Sequence, residues 1–177
     1  MHIVSFDIGS KNLAFCDIVF ETNKTTVNNL CIIDVSGKSC CEIIENVVNK
    51  LENIFHTENV FDVLLIENQP SLKNPVCKTI QTAVHTWFVS TRRCRKVVLC
   101  SPLQKNKLCC IVYDEIVPLN YRDKKKQTIR AAKRILGEDF FVGKSDDVAD
   151  AFVQSLFFFL NTTKSVSKEG FNKYIIL

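Results

Sequence analysis

Residues 2–8, HIVSFDI, alternate: Val4, Phe6 and Ile8 fall on one side, Ile3, Ser5 and Asp7 on the other. That is the period of a strand, and Gly9-Ser10 ends it. Residues 12–20 alternate again, and residues 27–35 predict a third strand. The short connections between them favour an antiparallel meander. After Ser39, a plausible helix cap, apolar residues recur at Ile43, Ile44, Val47, Val48, Leu51, Ile54 and Phe55, the spacing of a helix. The run FDVLLIEN then stays apolar at strand length, as a parallel strand covered on both faces does. A helix between two strands is the crossover that parallel pairing requires.

Residues 76–92 predict a second helix through Ile80, Ala83, Val84, Trp87 and Phe88, and KVVLCS a fifth strand. A short helix is expected over 105–113. A basic amphipathic helix follows over 124–136, with Ile129, Ala132, Ile135 and Leu136 inward and Gly137 as its stop. A last helix over 146–160 is capped by Ser145. The polar tail from Asn161 ends in YIIL and could dock as a short extra element. The order implies an α/β fold: a mixed five-stranded sheet, three antiparallel strands then parallel ones, with helices on both faces. One domain is expected over 1–177, with its core in 1–160 and a tail over 161–177.

Composition adds limits. Hydrophobic residues make up 46% and charged residues 24%, a globular balance. The greasiest run, AFVQSLFFFL, is far shorter than the ~20 residues that span a bilayer. Residues 2–20 carry Asp7, Lys11 and Asp17, which argues against a signal peptide and against a membrane role. The nine cysteines are odd in number and mostly sit in apolar runs, without a Cys-x-x-Cys pair. They read as buried free thiols of a reducing compartment rather than as disulfides or a zinc site.

Charge is unevenly spread. Residues 1–70 carry a net −6, residues 71–145 a net +11, and residues 146–177 a net −1. The basic residues cluster in RRCRK (Arg92, Arg93, Arg95), around Lys105 and Lys107, and in RDKKKQTIRAAKR (Lys124, Lys125, Lys126, Arg130). Such clustering suggests a phosphate backbone as partner; an ordinary solvated face is the alternative.

Four acids sit where acids are costly. Asp7 lies inside the first strand, and Glu67 ends the apolar fourth strand, where open α/β sheets place their ligands. Asp147 and Asp150 are three apart on the last helix, hence on one face, which Gln154 continues. Each has an ordinary reading: a turn acceptor, a strand end, a helix start. Together they point to one pocket. The predicted order sets strands one and four side by side, and the last helix can cross them. Hard divalent cations would offset the repulsion among converging carboxylates.

The early D-x-G, the I-E closing the fourth strand and the late D-x-x-D-A resemble the RuvC-type branch of the RNase H-like nucleases. SFDIGSKNLAF and DDVADAF are similar to poxvirus Holliday junction resolvases, and the likeness runs to about Leu160. It implies Asp7, Glu67, Asp147 and Asp150 as catalytic metal ligands, with Asp146 an uncertain neighbour. Mg²⁺, or Mn²⁺ in its place, would bind two per site. The resemblance also implies a lysine near the scissile phosphate. Its position falls near Asn106, so the flanking Lys105 and Lys107 are the candidates, with Lys126 a further one. The implied reaction is symmetric cleavage of four-way DNA junctions to 5′-phosphate and 3′-hydroxyl ends, without a nucleotide cofactor. Paired cuts imply a homodimer, with the helix carrying Trp87 and Phe88 as candidate interface and plain core packing as its alternative. The expected compartment is the host cytoplasm. Ribonuclease H-type cleavage of RNA–DNA hybrids and a non-catalytic branched-DNA-binding module stand as alternatives. An actin-type phosphotransferase would need a second similar domain.

Overall fold

The computed structural model describes residues 1–22, 24–56, 59–72, 74–103, 107–108, 120–137 and 145–165. Five strands, β1 (His2–Ile8), β2 (Asn12–Phe20), β3 (Thr25–Asp34), β4 (Val63–Glu67) and β5 (Val97–Cys100), form one sheet in the order β3-β2-β1-β4-β5. The first three are antiparallel; β1–β4 and β4–β5 are parallel. The described helices are α1 (Cys40–Ile54), α2 (Pro75–Ser90), α3 (Tyr121–Leu136) and α4 (Ser145–Thr162). The fold is thus the mixed α/β sheet that the sequence predicts. Most of the short helix expected over 105–113, and the YIIL end, lie outside the described residues.

Local chemistry sets the boundaries. Ser39 caps α1 by accepting from Glu42 N at 3.2 Å, as predicted, and Glu42 reaches back to Lys38 N at 2.7 Å. Asn74 caps α2 ahead of Pro75. Asn120 starts α3 one turn earlier than apolar spacing suggests, because it accepts from Asp123 N at 2.8 Å. Helix α2 ends at Ser90 rather than Arg92, since its last carbonyls are taken by Thr91 and Arg93 amides. Gly137 stops α3 at φ +84°, where a side chain would be strained.

Each face of the sheet has its own core. Val4, Phe6 and Ile8 point to α1 and α2, into a cluster with Phe15, Phe55, Phe61, Trp87 and Phe88. Ile3, Cys16, Ile18 and Leu65 point to α4, with α3 packed outside it. Helix α4 is therefore buried on nearly all sides, and Phe159 stacks on Phe20 at 4.2 Å. Trp87 is only 4% exposed and Phe88 is fully buried. Core packing, the alternative reading, accounts for both, and neither is available as an interface residue. The outer positions of α2 are Thr82, Thr86 and Val89.

The seven described cysteines are free. Cys16, Cys77 and Cys100 are buried, and burial pushes their thiols up, Cys100 to about 12. Cys40 and Cys41 are exposed, contrary to the expectation of burial, because they occupy the first turn of α1 before its apolar stripe begins. Among the described residues no helix is long and apolar enough to cross a membrane.

Candidate active site

Parallel pairing of β1 and β4 puts their carboxyl ends together, so Asp7 and Glu67 come to one edge of the sheet. Gly9 allows the tight turn beyond Asp7. Its amide donates to the Asn12 carbonyl at 2.9 Å, and a Cβ on Gly9 would sit 2.7 Å from that oxygen. The glycine of D-x-G is thus a matter of close backbone approach. Helix α4 enters over the same edge with its first turns.

These elements enclose a cleft of about 420 Å³. Asp7, Glu67, Asp147 and Asp150 all line it, together with Gly9, Gln69, Asn74, Cys77, Lys124, Lys125 and Thr128. The four acids singled out by sequence therefore share one cavity, some 140 positions apart at the extremes. Asp150 is 6% exposed, the others partly so. Burial raises the Cys77 thiol, and the charges of Asp7 and Glu67 push it further the same way.

A cation already sits among the acids. Lys125 Nζ donates to Asp147 Oδ1 and to Asp146 Oδ2, each at 2.9 Å, with its side chain 18% exposed. Partial burial pushes the Asp146 carboxyl up, but the Lys125 hydrogen bond and charge outweigh it and hold the group below the usual range. Among the described residues no three Asp, Glu, His or Cys side chains are arranged to hold a metal ion. The all-oxygen donor set suits a hard divalent cation in kind, with Asp147 turned to Lys125 instead.

The other described candidates fall elsewhere. Lys105 lies outside the described residues, and Lys107 is exposed and does not line the cleft. Lys126 is 66% exposed and pairs with Asp123 at 3.7 Å. Lys107 and Lys126 do not line the cleft, whereas Lys124 and Lys125 do. The signal for them was present: the buried stripe Thr128, Ala131, Ala132, Ile135 carried back one turn lands on 124 and 125, not on 126. Gln69, Asn74 and Cys77 gave no comparable signal, being set by the loop and helix that follow β4. Arg130 is exposed further along α3. Arg92, Arg93 and Arg95 lie at the opposite end of the sheet, where Arg95 N donates to Phe61 O and Lys96 O accepts from Leu64 N. There Arg95 pairs with Asp62 at 3.4 Å and Arg93 lies over Trp87. The structure does not bring them to the cleft.

The family described as Poxvirus A22 protein matches residues 1–162. The chain belongs to the poxvirus A22 family. No curated protein sequence matches this A22-family chain. Solved structures share its fold. The Fowlpox virus resolvase bound to substrate Holliday junction DNA is 23% identical, covers 90% of this chain and 99% of its own, and has a TM-score of 0.61. Thermus thermophilus RuvC with a Holliday junction substrate is 12% identical over 93% and 98%, with a TM-score of 0.63. The yeast mitochondrial Holliday junction resolvase is 16% identical over 97% and 82%, with a TM-score of 0.56. The A22-family chain thus carries the RuvC-type, RNase H-like fold expected of it.

Proposed function

We propose that this chain is a Holliday junction resolvase, an endonuclease that makes paired cuts in four-way DNA junctions. The observation that carries the reading is the gathering of Asp7, Glu67, Asp147 and Asp150 around one cleft in a fold shared with junction-bound resolvases. Asp7, Glu67, Asp147 and Asp150 would hold Mg²⁺ or Mn²⁺, two ions per site. When bound, such ions polarise a phosphodiester, lower the pKa of water and stabilise the leaving oxygen. Asp7 and Glu67, on rigid strand ends, would present their carboxylates to such ions from fixed positions. Asp147 would serve as a ligand on release from Lys125, whose ammonium, with that of Lys124, would then be available to the phosphate oxygens. Water attacks phosphorus in line and gives up a proton to solvent, the P–O3′ bond breaks and O3′ takes a proton from solvent, leaving a 5′-phosphate and a 3′-hydroxyl.

Recognition rests on shape. Lys124, Lys125, Lys126 and Arg130 offer point charges to backbone phosphates, which position DNA without reading bases. Arg92, Arg93 and Arg95 reach only junction arms remote from the cut. Two cuts related by symmetry call for a homodimer, with the outer face of α2 as the contact. The protein acts in the host cytoplasm, where its free thiols persist. A panel of labelled four-way junction, linear duplex and RNA–DNA hybrid with Mg²⁺ tests the reading. Paired cuts in the junction alone support it; cleavage confined to the hybrid sinks it.

A further inference from the structure

Gln154 is 4% exposed, in the apolar layer between α4 and the sheet. Its Nε2 donates to Ser5 Oγ at 2.9 Å and to the Phe6 carbonyl at 3.4 Å. Ser5 is itself fully buried. The same layer holds Ile3, Leu65, Ala151, Phe152 and Val153. Two buried polar side chains therefore meet across a mostly hydrocarbon interface, where Ser155 of α4 also hydrogen-bonds Cys16 of β2.

The pair lies one step below the acids. Asp150 and Gln154 are four apart on α4, a rise of about 6 Å. Asp7 and Ser5 are two apart on the same face of β1, about 6.6 Å. The amino-terminal end of α4 and the carboxyl end of β1 meet at the cleft, so both steps run toward it. Fixing Gln154 on Ser5 therefore fixes Asp150 opposite Asp7. Apolar side chains tolerate a helix sliding or turning by a fraction of a residue, whereas a hydrogen bond between two specific atoms does not. A buried polar pair adds little net stability, because both groups leave water to form it.

We propose that the Gln154–Ser5 hydrogen bond is a register pin, which sets α4 on β1 so that Asp150 and Asp7 face one metal position. Gln154 and Ser5 are positioning residues and touch neither metal nor DNA. The inference rests on the carboxylate reading of the cleft. The experiment compares full-length wild type with Gln154→Leu, Ser5→Ala, the double variant and Asp150→Asn. Mn²⁺ binding is followed by the electron paramagnetic resonance of free Mn²⁺, melting by calorimetry, and junction affinity by fluorescence anisotropy. Gln154→Leu takes the Gln154 donor from the buried Ser5 hydroxyl, and Ser5→Ala leaves Gln154 Nε2 with the Phe6 carbonyl alone, so each melts lower. The double variant removes both and recovers most of the melting temperature. Mn²⁺ affinity nonetheless falls about tenfold in all three, as outer partners of metal ligands typically cost. Junction affinity stays at the wild-type value. Mn²⁺ affinity that follows the melting temperature, or wild-type Mn²⁺ affinity in the double variant, overturns the pin. Wild-type Mn²⁺ affinity in Asp150→Asn instead overturns the carboxylate reading beneath it.

Discussion

Asparagine in place of Asp7 keeps the size of the side chain and removes its charge, which makes it the cleanest probe of the cleft. Outer partners of metal ligands are worth about 10- to 100-fold, so losing a ligand itself should cost more than about a hundredfold in cleavage. Junction affinity of Asp7→Asn should change little, because the proposed phosphate contacts lie on α3. Single-turnover cleavage beside anisotropy measures both, and wild-type cutting rates would remove Asp7 from the site. Lys125 and Lys126 are neighbours with different surroundings. Lys125 bridges Asp146 and Asp147, whereas Lys126 is largely exposed. Lys125→Met should slow cleavage at least tenfold, and Lys126→Met should leave it within about threefold, as exposed pairs contribute little. Asp146 reports the same contact through pH. Its carboxyl is held below the usual value, so the pairing stabilises the fold above the ordinary carboxylate pKa of about 3.9 and is lost as pH falls through the lowered one. In Lys125→Met the Asp146 carboxyl midpoint should move up, read by carbon-detected NMR titration.

The β1–β2 turn joins stability to placement. With a Cβ 2.7 Å from the Asn12 carbonyl, Gly9→Ala must open the turn that directs Asp7 into the cleft. A loss of about 1–3 kcal/mol is expected, as for other overpacked sites, with a fall in melting temperature of several degrees and slower cleavage. Calorimetry with the cleavage assay checks it; an unchanged melting temperature would mean that the turn relaxes freely. Most of the elements were legible because their periods differ: two for β1 to β3, 3.6 for α1, and an unbroken apolar run for β4. Adjacency of β1 and β4 followed from chain order, and with it the meeting of Asp7 and Glu67. Helix α2 shows where this reading stops. Trp87 and Phe88 lie on its inward stripe, and nothing in their spacing separates a core from a dimer face; Phe6 of β1, Phe15 of β2 and Phe55 just after α1 decide it. Lys125 was hidden among three consecutive lysines, distinguishable only by extending the buried face of α3 past its last apolar residue.

Charge along the chain does not say which end of the sheet a basic run occupies. Strand β4 separates the two ends by about 15 Å at roughly 3.3 Å per residue. Lys124 and Lys125 line the cleft, while Arg92 and Arg95 stand exposed at the other end. The described basic runs of residues 71–145 are therefore divided between two surfaces. DNA held at the cleft reaches the second surface only if an arm continues past the edge of the protein. Salt dependence can tell the two apart, because each phosphate contact adds about 0.9 to the slope of log affinity against log salt. On a junction with short arms, Lys124→Ala should lower the slope by about one, and the double variant Arg92→Ala/Arg95→Ala should leave it unchanged. On a junction with long arms the double variant should lose slope as well. Equal slopes for all three proteins on both substrates would leave the basic runs as solvated faces and remove DNA from both ends of the sheet.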